Sequence, residues 1–447
     1  DRLAEEGVLF EHCYVQAPVC APSRASLLTG RYPSAHGLWA NGVALPDHEL
    51  TFPRALAEAG YDCGLIGKLH LAPCAEGRSE PLYDRGFRFV RWSHDPSHAS
   101  PENSYHQWLV ERAPEAYAAA IDPKQAASFK TLAREVHYSH WVAEEAIEFL
   151  QTARDPQRPF FLFANFFDPH HSFGAPREYL DRYDPAALPR PVGRPGELAG
   201  KPPIQSDASR ESYAGHERGF SSYSSEEIQG LVATYYAMVT LIDDEVKRIL
   251  DTLDELGLRE ETLVVFTSDH GEMLGDHSLL LKGPMMYEGA VRVPLILRWP
   301  GVLPSGIRQP DLVQWMDLCP TLLEAAGLPP LPRNQGLSLL PLARADEDAY
   351  VRGWTLCIYR DSGHPYDPPV HTTMLRQGRY KLVVYHGPPA TDRPRTGELY
   401  DLEADPDELS NLWDEPAHRP ARVELEALLL DVLVAIEDRT QPREAYW

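Results

Sequence analysis

The chain has 447 residues, which is long enough for a large core and favours one large domain with one small domain. It carries 42 lysines and arginines against 66 aspartates and glutamates, a net charge of −24. This balance argues against nucleic-acid binding and against an anionic membrane surface, and no apolar window is long enough to span a bilayer. A site for an anionic ligand therefore needs a local positive field from a metal ion and a few basic side chains.

The chain opens in a helical pattern at residues 1–8, without a capping residue or a lead-in. We therefore expect that residues precede Asp1 in the natural protein, and the absence of a visible signal peptide says little. The wide, irregular cysteine spacing matches neither a disulfide framework nor a zinc pattern. This spacing favours a reducing compartment, and we expect a cytoplasmic protein. The cysteines are Cys13, Cys20, Cys63, Cys74, Cys319 and Cys357.

The first distinctive stretch is a short helix predicted to follow Cys20. Pro22 suits the first helical turn, and Gly30 can end the helix. A thiol before this helix faces free backbone N–H groups and the positive end of the helix dipole, where anionic groups are favoured. Arg24, one turn on, can direct its guanidinium to the same place.

Helices and apolar strands then alternate, with a long helix predicted at 226–256. This alternation predicts an α/β fold with a mainly parallel central sheet. Two stretches lack clear periodicity, residues 78–127 and 185–219, and are predicted to be irregular loops that could face a substrate. The predicted strands are 61–66, 159–166, 262–267 and 293–299.

Titratable side chains follow three of these strands. Lys68 and His70 follow the first strand, His170 follows the second, and Asp269 and His270 follow the third. Because ligands of parallel sheets bind beyond the carboxyl ends of the strands, we expect these side chains to converge on one site.

The pattern changes after about residue 340. Short strands at 354–359, 371–376 and 380–385 precede a C-terminal helix at 421–438. This order predicts a smaller domain with an antiparallel sheet. We therefore expect a large domain at 1–345 and a small domain at 346–447.

The stretch from Cys20 to Arg31 resembles the signature of the sulfatase family. It reads Cys-x-Pro-Ser-Arg and continues as Ala-Ser-Leu-Leu-Thr-Gly-Arg. A second stretch, Ser-Asp-His-Gly-Glu from Ser268, is followed by Leu-Gly-Asp-His and Lys282 and is similar to the family's second motif. The resemblance covers nearly the whole chain and implies an alkaline-phosphatase-like α/β/α sandwich.

The resemblance implies an activity and a set of roles. In this family a maturation enzyme oxidises the signature cysteine, here Cys20, to Cα-formylglycine, whose hydrate attacks a sulfate ester. Arg24 would steady the hydrate and the region of the metal. Lys68, in Gly-Lys-x-His, would contact the sulfate, and His70 would take the proton from the second hydroxyl. His170, in Pro-His, would protonate the oxygen of the leaving group and contact the substrate.

The resemblance also implies a divalent cation held by Asp269, His270 and the group at Cys20, with Lys282 contacting the sulfate. Carboxylate ligands suit Ca²⁺, while a histidine ligand leaves room for Mn²⁺. The family carries further acidic ligands on an apolar strand upstream of the residues that match 1–10. We expect that strand in the full-length parent protein.

Three alternatives stay open. Relatives in the same superfamily hydrolyse phosphonate monoesters or phosphodiesters, typically with Tyr and Thr at the positions of Lys68 and His70, so these two residues favour sulfate esters. A second alternative is a protein that keeps the fold without the chemistry. Asn41 either binds the substrate in the pocket or is a turn asparagine.

Overall fold

The computed structural model describes residues 1–82, 85–122, 128–363, 369–387 and 396–437. The strands are β1 Val8–Tyr14, β2 Asp62–Gly67, β3 Phe89–Trp92, β4 Phe160–Asn165, β5 Val264–Thr267, β6 Arg292–Arg298, β7 Ile307–Gln314, β8 Trp354–Arg360, β9 His371–Gln377, β10 Tyr380–His386 and β11 Thr396–Asp401. The helices are α1 Arg2–Glu5, α2 Cys20–Thr29, α3 Pro33–His36, α4 Phe52–Glu58, α5 Ser104–Arg112, α6 Pro114–Ile121, α7 Tyr138–Glu148, α8 Arg177–Leu180, α9 Pro203–Arg210, α10 Ser225–Glu255, α11 Glu288–Val291, α12 Leu318–Ala325, α13 Leu340–Ala343 and α14 Arg419–Ala435.

The strands form a mixed α/β architecture with a separate C-terminal sheet. The order β3-β2-β4 is parallel throughout, and the order β5-β6-β1-β7 joins β1 to β7 in parallel. β6 runs antiparallel to both β1 and β5, which the sequence pattern did not predict. The order β11-β10-β9-β8 is antiparallel, as predicted.

Successive residues of the parallel strands pack into different cores. Leu65 and Phe163 pack into the core that contains α2 and α4, whereas Ile66 and Leu162 pack into the core with α7 and α10. A strand directs alternate side chains to opposite faces, so helices cover both faces of this sheet. This layering confirms the predicted α/β/α sandwich.

Three local predictions from the sequence were wrong in part. The helix expected through residues 1–8 ends at Glu5, because Gly7 approaches the carbonyl oxygen of Leu297 where β1 begins. The stretch 78–127 contains β3, α5 and α6, and the stretch 185–219 contains α9. These elements are too short to show a clear hydrophobic period. The C-terminal helix is described as far as Ala435, and residue 438 lies outside the described residues.

The apolar run at 159–166 is typical of a strand in the middle of a sheet, but neither β4 nor β5 lies in the middle of its sheet in the described part of the chain. Each strand is the outer strand of its sheet, and their side chains are mostly half-exposed. Both strands line one cavity of about 1220 Å³, together with apolar residues of α10 such as Val239 and Val246. We call this cavity the strand slot.

Candidate active site

The helix α2 places Cys20 as its first residue. Val19 precedes it in an extended conformation, and Gly30 ends it with φ of 67°. Every residue of α2 is buried, and Cys20 is 2% exposed. The backbone N–H of Ala21 donates to Oδ1 of Asn41 at 2.9 Å, so a side chain from another loop caps the helix. The helix thus ends at Gly30 as predicted, and it begins one residue earlier than predicted, at Cys20 itself.

Basic and imidazole groups surround the Cys20 thiol. The Sγ atom lies 3.1 Å from Nε2 of His270, 3.2 Å from Nζ of Lys282 and 4.0 Å from Nε2 of His170. Burial alone raises the pKa of the thiol, but Lys282, Lys68 and His270 outweigh it and hold the pKa of Cys20 well below its usual range. The site therefore favours an anionic group at this position.

Arg24 ties together three of the loops that carry site residues. Its Nε donates to Oδ2 of Asp269 at 2.7 Å, and its Nη1 donates to the backbone oxygen of Lys68 at 2.8 Å and to Oδ1 of Asn165 at 3.2 Å. Burial raises the pKa of Asp269, but the opposite effect of Arg24 and His270 is larger and lowers the pKa to about 2. Asp269 is therefore a carboxylate at neutral pH.

Two histidines present the same nitrogen to the centre of the site. Nδ1 of His170 donates to the carbonyl oxygen of His171 at 2.6 Å, and Nδ1 of His270 donates to that of Gly271 at 2.8 Å. A carbonyl oxygen only accepts, so Nδ1 carries a proton in both rings, and Nε2 of each ring faces the centre of the site. Burial and Lys282 lower the pKa of His170 to about 3, and Lys282 Nζ donates to its Nε2 at 2.9 Å.

Lys68 and His70 extend from the turn after β2 into the same site. They are 4% and 7% exposed, and Lys68 is one of the charges that lower the pKa of Cys20. Burial and Lys68 lower the pKa of His70, so its imidazole is neutral and can accept a proton. The structure thus brings together all the titratable residues predicted to converge.

Three donor groups of the site fit part of a cation's ligand shell. Atoms of Cys20, Asp269 and His270 all lie within 4.8 Å of one another. One oxygen of Asp269 pairs with Arg24, and the other lies 4.0 Å from Nε2 of His270. Oxygen and nitrogen donors at this spacing suit a divalent cation, although hard cations such as Ca²⁺ take six to eight ligands.

Asn41 lies beside α2, and its side chain forms hydrogen bonds with protein groups. Besides capping Ala21, it donates from Nδ2 to the hydroxyl of Tyr213 at 3.2 Å. Tyr213 also bonds to Ser362 of the C-terminal part at 3.2 Å, and its ring lies 5.9 Å from Lys282 Nζ. A contact between Asn41 and a substrate stays a prediction.

A buried cluster behind His170 was not predicted from the sequence. Lys130 pairs with Asp168 and donates to the backbone oxygen of His170 at 3.1 Å, while Ser139 donates to Asp168 at 2.6 Å. Asp168 was visible as the acid before Pro-His, but no local pattern marks Lys130. Distant residues of this kind become partners only through the fold.

Comparison with known proteins matches residues 1–328 to the sulfatase family model. The chain belongs to the sulfatase family. Residues 275–434 also match the model for the C-terminal region of N-sulphoglucosamine sulphohydrolase. This sulfatase is therefore an enzyme that hydrolyses sulfuric ester bonds.

Relatives of this sulfatase act on more than one ester class. It is 29% identical to an arylsulfatase of Clostridium perfringens, over 98% of this chain and 89% of the relative. It is 30% identical to the multifunctional alkaline phosphatase superfamily protein PehA of Trinickia caryophylli, over 94% of this chain and 85% of the relative. The phosphonate monoester hydrolase of Agrobacterium radiobacter superposes with a TM-score of 0.83 at 26% identity, covering 98% of this chain and 90% of that one. The fold is thus alkaline-phosphatase-like.

Proposed function

We propose that this sulfatase releases inorganic sulfate from an organic sulfate ester with a formylglycine formed from Cys20 by a maturation enzyme. The observation that carries the proposal is the position of Cys20, buried at the start of α2 within 4.0 Å of Lys282, His270 and His170. When hydrated, a formylglycine supplies a diol in which one hydroxyl attacks sulfur and the other then loses a proton so that sulfate leaves. An unmodified serine or thiol could not release sulfate in this way.

The cations of the site neutralise the substrate. A sulfate ester repels an anionic nucleophile, so Lys68 and Lys282 balance the charge of the sulfate oxygens, and Arg24 fixes the loop of Asp269. These side chains are 3–8% exposed, so their fields act in a poorly hydrated environment.

Two neutral histidines divide the proton transfers. His170 delivers a proton to the leaving oxygen, and because its own pKa is low, it draws that proton from the ammonium of Lys282 at 2.9 Å. His70, on the turn after β2, accepts the proton of the second hydroxyl. The two roles are held by loops that follow different strands.

A divalent cation would be held by Asp269, His270 and the group at position 20, where it would neutralise sulfate oxygens. We favour Ca²⁺ for the carboxylate, with Mn²⁺ as the alternative. The three donors leave coordination positions free, and further carboxylates are needed. We propose that they lie on an apolar strand in the strand slot, where β4 and β5 each have one edge that no described strand pairs with.

Metal titration tests the strand proposal. The chain beginning at Asp1 is compared with a chain extended upstream, by calorimetry with Ca²⁺ and with Mn²⁺. We expect the extended chain to bind the cation at least tenfold more tightly, since ligand number and charge set affinity. Equal affinity of the two chains would contradict the proposal.

Activity is tested by ion chromatography of released sulfate from 4-nitrophenyl sulfate, with Cys20→Ala as the control. We expect turnover by the wild-type enzyme and its loss in Cys20→Ala. No sulfate release from enzyme that carries the modified residue would overturn the proposal.

Hydrolysis of phosphonate monoesters is the second candidate function, favoured by the likeness to the Agrobacterium radiobacter enzyme. Lys68 and His70 favour sulfate, because phosphonate and phosphodiester hydrolases of the superfamily typically carry Tyr and Thr at these positions. Side-by-side kinetics on the aryl sulfate and the aryl phosphonate decide between them. We expect the larger kcat/KM for the sulfate, and the reverse order would select the phosphonate.

A further inference from the structure

The turn that carries His70 has a backbone conformation that needs support from its surroundings. His70 has φ of 64°, in the left-handed region that residues other than glycine rarely adopt. Such a conformation persists only where neighbouring groups hold it. The orientation of the imidazole toward position 20 therefore depends on whatever fixes the backbone at His70 and Leu71.

A single buried carboxylate holds this turn. Oε1 of Glu80 accepts the backbone N–H of His70 at 2.8 Å, and Oε2 accepts the backbone N–H of Leu71 at 2.7 Å. Oε1 also accepts Nε1–H of Trp92, the last residue of β3, at 2.8 Å. Glu80 is 4% exposed, and hydrogen bonds to an ionised acceptor are stronger than those between neutral groups.

We propose that Glu80 is a positioning residue, which holds His70 in place for the proton transfer that completes turnover. The inference rests on the proposed function of His70. Glu80 acts through the backbone and through Trp92, and it anchors the catalytic turn to the neighbouring strand of the sheet. A distortion of about 1 Å in such a turn is enough to lower a rate about 100-fold.

The surroundings of Glu80 support a positioning role over a metal site. Atoms of Cys74, Glu80 and His94 lie within 4.8 Å of one another, a spacing that could hold a metal ion. However, three N–H donors already occupy the two oxygens of Glu80. His94 instead packs against His70 in a T-shaped pair, with ring centroids 4.6 Å apart, and so encloses the same imidazole.

The sharpest variant is Glu80→Gln, which keeps the shape of the side chain. A glutamine offers one accepting oxygen, and its amide group would face a backbone N–H, so at least one of the two turn hydrogen bonds is lost. The matched control is Glu49→Gln, which changes another glutamate that is 4% exposed and that pairs with Arg31 instead of the turn. Both variants alter a buried carboxylate, and only the first alters His70.

The first measurement is the kinetics of 4-nitrophenyl sulfate hydrolysis by the folded fraction of each variant. We expect Glu80→Gln to lower kcat about 10- to 100-fold. KM should change little, and the nitrophenol released in the first turnover should appear at the wild-type rate, as in His70→Ala. Glu49→Gln should keep the wild-type kcat. A slowed first turnover, or equal kcat losses in Glu80→Gln and Glu49→Gln, would overturn the proposal.

The second measurement is independent of activity. In protein labelled with ¹³C at histidine Cε1, we expect the His70 signal to shift or split at fixed pH in Glu80→Gln and to stay in place in Glu49→Gln. An unmoved His70 signal in Glu80→Gln would overturn the proposal, even if the wild-type enzyme proves inactive on sulfate esters. If Glu80→Gln does not fold, Trp92→Phe decides: it removes one donor, and a wild-type kcat together with a wild-type His70 signal would overturn the proposal.

Discussion

The thiol of Cys20 differs from the other cysteines in its charge environment. Lys282, Lys68 and His270 lower its pKa, whereas burial raises the pKa of Cys319 and Cys357. The thiolate is the reactive form, so protein from a host without the maturation enzyme should react with iodoacetamide at Cys20 at pH 7. The rate should fall only when the pH drops through the lowered pKa, well below the usual value of about 8.5.

Peptide mass spectrometry of partly alkylated protein measures this selectivity, with Cys319 as the internal control. Labelling of Cys20 no faster than labelling of Cys319 in the folded protein would contradict the assigned electrostatics. All six cysteines are buried free thiols. The predicted cytoplasmic location stays a prediction.

The role of His170 is tested by substitution with glutamine. A general acid contributes about 10²- to 10⁴-fold, and its contribution grows with the basicity of the leaving group. We therefore expect His170→Gln to lower kcat slightly for 4-nitrophenyl sulfate and strongly for an alkyl sulfate. Steady-state kinetics on the two esters measure the difference. Equal losses on both esters would assign His170 to another step.

Short motifs located the residues that line the candidate site, but not those that hold these residues in position. Cys20, Lys68 and Asp269 each stand in a recognisable string, because the chemistry fixes residue types at short spacings. Glu80 and Lys130 hold backbone atoms of other segments, and a backbone hydrogen bond leaves no pattern in the sequence. Such residues become visible only in three dimensions.

At the level of elements, the loop after β5 requires a close backbone approach. Gly271 donates its N–H to Ala290, and a Cβ atom on Gly271 would lie 1.9 Å from the carbonyl oxygen of Gly289. We expect Gly271→Ala to shift Asp269 and His270, to weaken cation binding and to destabilise the fold by about 1–3 kcal/mol. Denaturant unfolding and metal titration measure the two effects.

The control for this variant is Gly230→Ala in α10, where no atom lies within 4 Å of the added Cβ. Replacing a helical glycine by alanine should stabilise the protein by about 0.5–1 kcal/mol. If Gly271→Ala binds the cation as tightly as Gly230→Ala does, the loop does not set the geometry of the metal ligands.

For the whole molecule, the central question is how the C-terminal sheet joins the catalytic part. Tyr359 and Met374 belong to the same buried cluster as Phe10 of β1. Lys381, on β10, pairs with Glu288 at 3.1 Å. The division at residue 345 stays a prediction, because apolar and ionic contacts cross it.

We expect a chain that ends at residue 345 to unfold or aggregate. Without the C-terminal sheet, apolar surface becomes exposed and Glu288 loses its partner Lys381. Circular dichroism and limited proteolysis of the truncated and full chains measure this. A truncated chain that unfolds cooperatively near the melting temperature of the full chain would contradict the expectation.

Sequence periodicity was enough to predict the α/β layers and the antiparallel C-terminal sheet, because buried strands and long helices carry strong signals. It did not show that β6 runs antiparallel, since strand direction depends on partners that are distant in the chain. It also favoured a central position for β4, because a continuous apolar run suits burial on both faces. The strand slot explains why such strands are half-exposed.

None of the described helices combines the length and apolar character that crossing a bilayer needs.

The central claim is that Cys20 becomes the aldehyde-bearing nucleophile of a sulfate ester hydrolase. Mass spectrometry of the peptide that contains residue 20, from protein co-expressed with a formylglycine-generating enzyme, tests it most directly. We predict a peptide lighter than its thiol form, in a fraction that rises in step with the rate of sulfate release. An intact thiol in protein that is fully active on the sulfate ester would contradict the claim.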